Sequence, residues 1–161
     1  MNTLWGDDPK VNTMLWQWAS MKLFDHLRGF GPCHCMGVFD KGKLVGVMVY
    51  HNFDRKSGAI EVSGAADTPR WLTKKVLWEM FAYPFEHLDC QIVVMRVSTE
   101  NTRLHRILTA YGFECYRIPR LRGRHEDELI FTLTDDAWRN NGFHRDHQVN
   151  GSRAPSISCA A

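Results

Sequence analysis

The sequence predicts a single mixed α/β (α+β) domain built on a largely antiparallel central sheet with helices on both faces. Three observations carry this reading. The chain has 161 residues, within the range one hydrophobic core serves. Helix-period and strand-period stretches alternate along it, and a strand–helix–strand order in the middle suits one right-handed crossover. Apolar content of 44% with 12% aromatics excludes a mainly disordered or fibrous chain. The domain is expected over residues 1–139, followed by a polar, flexible tail over 140–161 that lacks periodicity.

Asp7, Asp8 and Pro9 mark a start, and Met14, Leu15, Trp18, Met21 and Leu23 then recur at helical spacing, predicting a first helix over residues 11–27. Gly29, Gly31 and Pro32 end it. Short β-branched runs at 36–39 and 44–51 flank Asp40-Lys41-Gly42-Lys43 and form a hairpin. A third strand at 59–66 places Ile60 and Val62 on one face, Glu61 and Ser63 on the other. Thr68-Pro69 can cap and open a long helix over 68–88, with Leu72, Val76, Met80 and Tyr83 in helical register and Pro84 kinking the last turn.

Residues 92–97 form a β-branched run suited to a buried strand, and 101–111 a short helix with Leu104, Ile107, Leu108 and Tyr111 on one face. Gly112 stops that helix. Two last strands fall at 113–118 and 129–133, joined by an arginine-rich segment and the acids Glu126, Asp127 and Glu128. Thr134-Asp135 caps a brief final helix through Arg139.

Twenty basic against eighteen acidic residues leave +2, too little to draw a polyanion by long-range attraction. No apolar run is long enough to span a bilayer, and residues 1–9 lack the basic start and apolar stretch of a signal peptide, so the chain is expected in the cytoplasm. Five irregularly spaced cysteines predict reduced thiols. Cys33-His34-Cys35 has no matching second pair, and His144 with His147 offers two ligands only, so no metal is expected.

The stretch WLTKKVLWEMFAYPFEHLDCQIVVMRVSTENTRLHRILTAYGF, residues 71–113, resembles the middle of a GNAT-superfamily N-acyltransferase, in the branch related to ribosomal-protein alanine acetyltransferases. The features that carry it are the long helix ending in Tyr83-Pro84-Phe85, the strand at 92–97, then Asn101, Arg103 and Arg106 before Leu108 and Tyr111-Gly112-Phe113. The resemblance implies a V-shaped opening between the strands at 59–66 and 92–97 that takes acetyl-CoA. Splayed strands expose peptide groups that can pair with the pantetheine amides, so residues 61–66 are the expected rail, with Ala65 and Ala66 as backbone contacts. Asn101 would reach the pantetheine arm and Arg70 the phosphates.

The phosphate loop departs from the family's pattern. Pro69 lacks an amide donor and Trp71 stands where small residues are usual, leaving Trp71 either to pack or to cover a flat group. The family's tyrosine acid is replaced by Leu108, so a thiolate would leave without it. Glu61, Asp67 and His51 are the candidate bases for a neutral amine nucleophile, although Glu61 equally suits a solvated sheet face and Asp67 a turn. Ser98 and Glu100 read as helix-capping residues.

Arg117, Arg120, Arg122 and Arg124 form the most distinct charge cluster. The resemblance sets this connection beside the acceptor, so Arg120, Arg122 and Arg124 are expected acceptor-binding residues unless the neighbouring acids pair with them. The expected function is acyl transfer, acetyl in the first instance, to a primary amine of a small molecule or protein, by a monomer or homodimer. Two alternatives keep the fold: a nucleic-acid-modifying enzyme of the phage-encoded kind, and an inactive structural or interaction protein.

Overall fold

The computed structural model describes residues 1–145. Its elements are β1 (Asn2–Trp5), α1 (Pro9–Phe24), β2 (Cys33–Asp40), β3 (Lys43–Asp54), β4 (Ala59–Ala66), a 3₁₀ turn (Pro69–Trp71), α2 (Lys74–Ala82), a π-helical turn (Tyr83–His87), β5 (Ile92–Ser98), α3 (Thr102–Tyr111), β6 (Glu114–Gly123), β7 (Glu126–Thr134) and α4 (Asp135–Asn140). The seven strands make one sheet in the order β1-β2-β3-β4-β5-β7-β6. All neighbours are antiparallel except β4 and β5, the ends of the crossover.

Two cores lie on opposite faces of this sheet. On one, α1 sets Leu15 and Ala19 on Cys35, Val47, Val49 and Ala65. Gly37 makes room for this helix, since a Cβ there would lie 2.6 Å from a Leu15 methyl. On the other face α2, α3 and α4 contribute Val76, Phe81, Leu108, Tyr111 and Trp138 to a larger core with Val93, Phe113 and Phe131. No helix among the described residues is long and apolar enough to cross a membrane.

Several elements differ from the sequence expectation. β1 has no counterpart in it, because four residues are too few to display a strand period. The strand is held by pairing with β2, by Trp5 against Tyr83 at 4.8 Å, and by the Thr3 hydroxyl on Glu79. The long helix expected over 68–88 is broken. Thr68 caps only the 3₁₀ turn, Leu72 takes φ −81° and ψ 69°, and Thr73 caps α2 afresh through the Val76 amide. Trp71 and Trp78 therefore do not share a helix face; Trp78 stacks instead on Trp138, ring centres 5.0 Å apart. The kink expected at Pro84 is present as the π-helical turn, which absorbs its missing amide.

The arginine-rich segment is not a connection but part of β6. The strand runs on to Gly123 through a register shift after Ile118, with Arg120 at φ 63°. After α4 the chain turns back onto the larger core. His144 is fully buried there, its Nε2 2.7 Å from the Tyr111 hydroxyl, which also accepts from Trp138 Nε1 at 3.1 Å. His147 and Cys159 lie outside the described residues.

Candidate functional site

β4 and β5 pair at three positions only, Ala59 with Ile92, Ile60 with Val93 and Glu61 with Val94, and then part. β4 continues for five further residues against β3 alone, to Ala66, which lies opposite Gly46. The direction of its free groups follows from one bond. The Asp67 amide donates to the Val45 carbonyl at 2.8 Å, so by antiparallel alternation Ala65 and Ser63 also address β3. Gly64 and Ala66 turn their N–H and C=O groups into the gap, whereas the Val62 amide still serves the last β4–β5 pair. Of the two backbone contacts expected from sequence, Ala66 faces the gap, whereas the peptide groups of Ala65 belong to the β3 ladder opposite Val47.

The gap opens into a cleft of about 340 Å³ lined by Gly64, Ala66, Trp71, Asn101, Arg103 and Ile107, among others. Trp71 does not plug the space between the strands. It is 9% exposed and sits on the sheet above Gly46, where an added Cβ would lie 2.3 Å from its ring. Gly64 beside it gives Met48 similar room, an added Cβ there lying 2.6 Å from the sulfur. Glycine inside a strand commonly marks such close approach. Asn101 caps α3, its Oδ1 accepting from the Leu104 amide at 3.2 Å, and this leaves its amide nitrogen for the cleft.

The segment expected at the phosphates is also altered. Because the 3₁₀ turn holds only Pro69–Trp71, Arg70 is not in the first turn of a long helix; α2 begins at Lys74. Arg70 is exposed and its amide bonds the Thr68 hydroxyl at 3.3 Å. Leu108, at the position of the expected acid, is buried, and Tyr111 one turn on is engaged in the core with a phenol that burial pushes far up. Ser98 accepts from the Glu100 amide at 3.2 Å in the loop before α3, so the capping expected of Ser98 and Glu100 falls instead to Asn101.

The opposite face of the parted strands carries the titratable groups. Glu61, at the last β4–β5 pair, accepts from Asn52 Nδ2 at 2.9 Å. His51, its partner on β3, is 7% exposed, with Nε2 2.9 Å from Ser63 Oγ and its ring 5.2 Å from Phe30. Burial pushes this imidazole below its ordinary range, and Glu61 pulls it part of the way back. Asp67, at the mouth of the cleft, is ion-paired with Lys22 of α1.

Further along this face stands an arrangement the sequence did not single out. Glu128, 2% exposed, accepts from Arg96 Nε at 3.0 Å and Nη2 at 2.5 Å, and from Arg122 Nη1 at 2.8 Å. Arg96 belongs to β5, beyond the point where it leaves β4. A basic residue within the apolar run of 92–98 was the available signal. The other arginines pair locally: Arg117 with Asp127 at 2.8 Å and Arg122 also with Glu126 at 3.3 Å. Arg120 engages Asp127 through its backbone amide. Of the three arginines expected at the acceptor, Arg122 is thus held by Glu126 and Glu128 and Arg120 is held at its backbone by Asp127, while Arg124 stands exposed in the turn after β6.

Among the described residues no three His, Cys, Asp or Glu side chains gather as metal ligands. Cys33, Cys35, Cys90 and Cys115 are free thiols, and burial pushes Cys90 up to about 11.

No family model matches the chain, and no curated protein matches it at a significant level. Solved structures do match. A spermidine N-acetyltransferase SpeG chimera from Vibrio cholerae and hSSAT superposes with a TM-score of 0.71 at 11% identity, over 87% of this chain and all (100%) of that one. A point mutant of the Vibrio cholerae SpeG gives 0.68 at 12%, over 88% and 99%. A GCN5-related N-acetyltransferase from Brucella melitensis gives 0.58 at 20%, over 71% of this chain and 56% of that chain, so the present chain spans little more than half of that relative. The chain has the fold of the GNAT acetyltransferases, and the opening between β4 and β5 agrees with the expectation from the resemblance.

Proposed function

We propose that the protein is an N-acyltransferase that moves the acetyl group of acetyl-CoA to a primary amine. The observation that carries the reading is the parting of β4 from β5 after Glu61, with the peptide groups of Gly64 and Ala66 turned into a cleft of about 340 Å³. A pantetheine arm carries two amides and can pair there as an added strand would. Asn101 and Arg103 border the same space, and Arg70, exposed between the cleft residues Pro69 and Trp71, is the cation assigned to the phosphate end.

The acceptor reaches the thioester from the α1 face. Its ammonium must lose one proton before the nitrogen can attack, and Glu61 is the base assigned to that step, acting directly or through a water. His51, held neutral by burial and bonded to Ser63, is a second proton acceptor beside it. Asp67 contributes charge at the mouth, its carboxylate shared with Lys22. The amine lone pair forms the C–N bond, the C–S bond breaks, and the sulfur leaves with the bonding pair as a thiolate, while the nitrogen gives up its second proton to water or to the departing sulfur, leaving a neutral amide. Leu108 offers it no proton, and a thiolate is stable enough to leave without one.

Titration calorimetry with acetyl-CoA tests the donor assignment. Saturable heat and an upward thermal shift are expected; neither at millimolar ligand leaves the fold without this activity. Thiol release in the presence of amines then tests transfer. Gel shifts with single- and double-stranded DNA across a salt series test the nucleic-acid alternative, which requires affinity that falls with salt.

A further inference from the structure

We infer that the acceptor is an amine that also bears a carboxylate, of the amino-acid class, with Arg96 binding the carboxylate while Glu61 faces the amine. This rests on the acyl-transfer reading and adds to it the chemistry of the second substrate.

The argument begins with where the two charges stand. Glu61 pairs with Val94, and side chains of paired residues in a parallel ladder share a face; Arg96, two residues on, lies on that face as well. Glu61 therefore marks the vertex of the parted strands and Arg96 the β5 lip, both on the side opposite α2 and α3. An anion and a cation on one face of the opening complement a zwitterion in a single orientation.

Arg96 is also built to bind. Its side chain is 45% exposed, and its bonds to Glu128 use Nε and Nη2, which leaves Nη1 and the outer edge of the fork for a ligand. Glu128 is buried and is itself held from the far side by Arg122, so the guanidinium is fixed before a ligand arrives. The Glu128 hydrogen bonds raise the Arg96 pKa, and the charge of Glu61 adds to this, so the guanidinium at the lip stays charged.

The same inventory argues against a polycationic acceptor such as the spermidine named for the SpeG neighbours. The acids of the β6–β7 hairpin are already engaged: Asp127 by Arg117, Glu126 by Arg122, Glu128 by Arg96 and Arg122. Asp67 of the same face is engaged by Lys22, while Glu61 takes its side-chain hydrogen bond from the neutral amide of Asn52, so Glu61 is the anion offered to an incoming ammonium, with arginines set beyond it. A second and third ammonium would meet guanidinium groups.

The test is an acceptor panel with acetyl-CoA: amino acids and short ω-amino acids, their carboxamides, and spermidine, read as thiol release. The acids are expected to be acetylated with a KM at least tenfold below that of the matched amides, and spermidine to be the poorest acceptor. Arg96→Gln should raise KM for the acids about tenfold and leave the amides unchanged, with kcat little altered; Arg96→Lys, which keeps the charge but not the fork, should fall between. Acetyl-CoA affinity by calorimetry should be the same in all three proteins. Equal KM for acids and amides, preference for spermidine, or an Arg96→Gln effect common to acids and amides overturns the assignment.

Failure of acetyl-CoA to bind instead strikes the acyl-transfer reading itself. A readout that needs no donor separates the two: N-acetyl amino acids should shift the Arg96 Nε–H resonance in NMR spectra and their carboxamides should not. No shift overturns the carboxylate site.

Discussion

The indole of Trp71 fills the place that a side chain on Gly46 would take, with an added Cβ only 2.3 Å from its Cε3. A bulky residue in the turn after β4 and a bare strand position are thus two halves of one contact, and together they form a wall of the cleft between β4 and β5 without closing it. Gly46→Val is expected to displace the ring, lowering stability by about 1–3 kcal/mol as over-packed sites do. Acetyl-CoA affinity should fall with it. Denaturant unfolding and calorimetry on the same preparation check both.

Glu61→Gln removes the assigned base while keeping the size of the side chain and its ability to accept from Asn52. A loss of kcat of about 10²–10⁴ is expected, the usual range for a positioned base, with acetyl-CoA affinity unchanged. Steady-state kinetics over a pH series would show the loss shrinking at alkaline pH, where the acceptor amine is already neutral.

His51 gives the fold an acid-side liability. Its folded pKa is lowered by burial, so the unfolded chain takes up a proton at higher pH than the folded one. The sign follows: stability is unaffected well above the ordinary imidazole value of about 6.5 and is lost progressively as pH falls through it, until the lowered folded value is passed. In His51→Gln the decline of thermal midpoint between pH 7 and 5 should be shallower than in the parent, which differential scanning calorimetry can follow.

Tyr111→Phe deletes the hydroxyl that bonds His144 and receives the Trp138 indole N–H. The buried donor left behind should cost about 1–3 kcal/mol. Urea unfolding measures the loss, and a Trp138 indole resonance moved in the variant would locate it.

Glu128→Gln loosens both Arg96 and Arg122. Because their side chains are 45% and 38% exposed, the expected cost of about 1–3 kcal/mol is below that of a fully buried pair. The same variant should raise KM for carboxylate-bearing amines, since Arg96 keeps its charge but not its placement.

Much of the fold was legible because the signals were local. The strand at 59–66 shows alternation, Thr134 precedes a helix as a cap, and Gly112 ends α3 in the left-handed conformation its sequence position predicts. What escaped depends on partners distant in sequence. β1 is received by β2 and Tyr83, and at the break before α2 the Trp71 indole packs over Gly46, a contact between residues far apart in the chain that no local signal reports. At the site, the face shared by Glu61 and Ser63 follows from strand alternation, and His51 joins them through the β3–β4 register. Arg96 became meaningful only with the pairing of β5 to β7, which brings Glu128 beside it.

The outer strand β6 holds Pro119 at its middle and Arg120 in a left-handed turn, with four guanidinium groups between positions 117 and 124. An outermost strand is where molecules can zip together into ribbons, and here a missing donor and a local twist oppose that growth. The hairpin can therefore stay bare beside the reaction face, leaving room for a second substrate to come and go without recruiting a neighbouring copy.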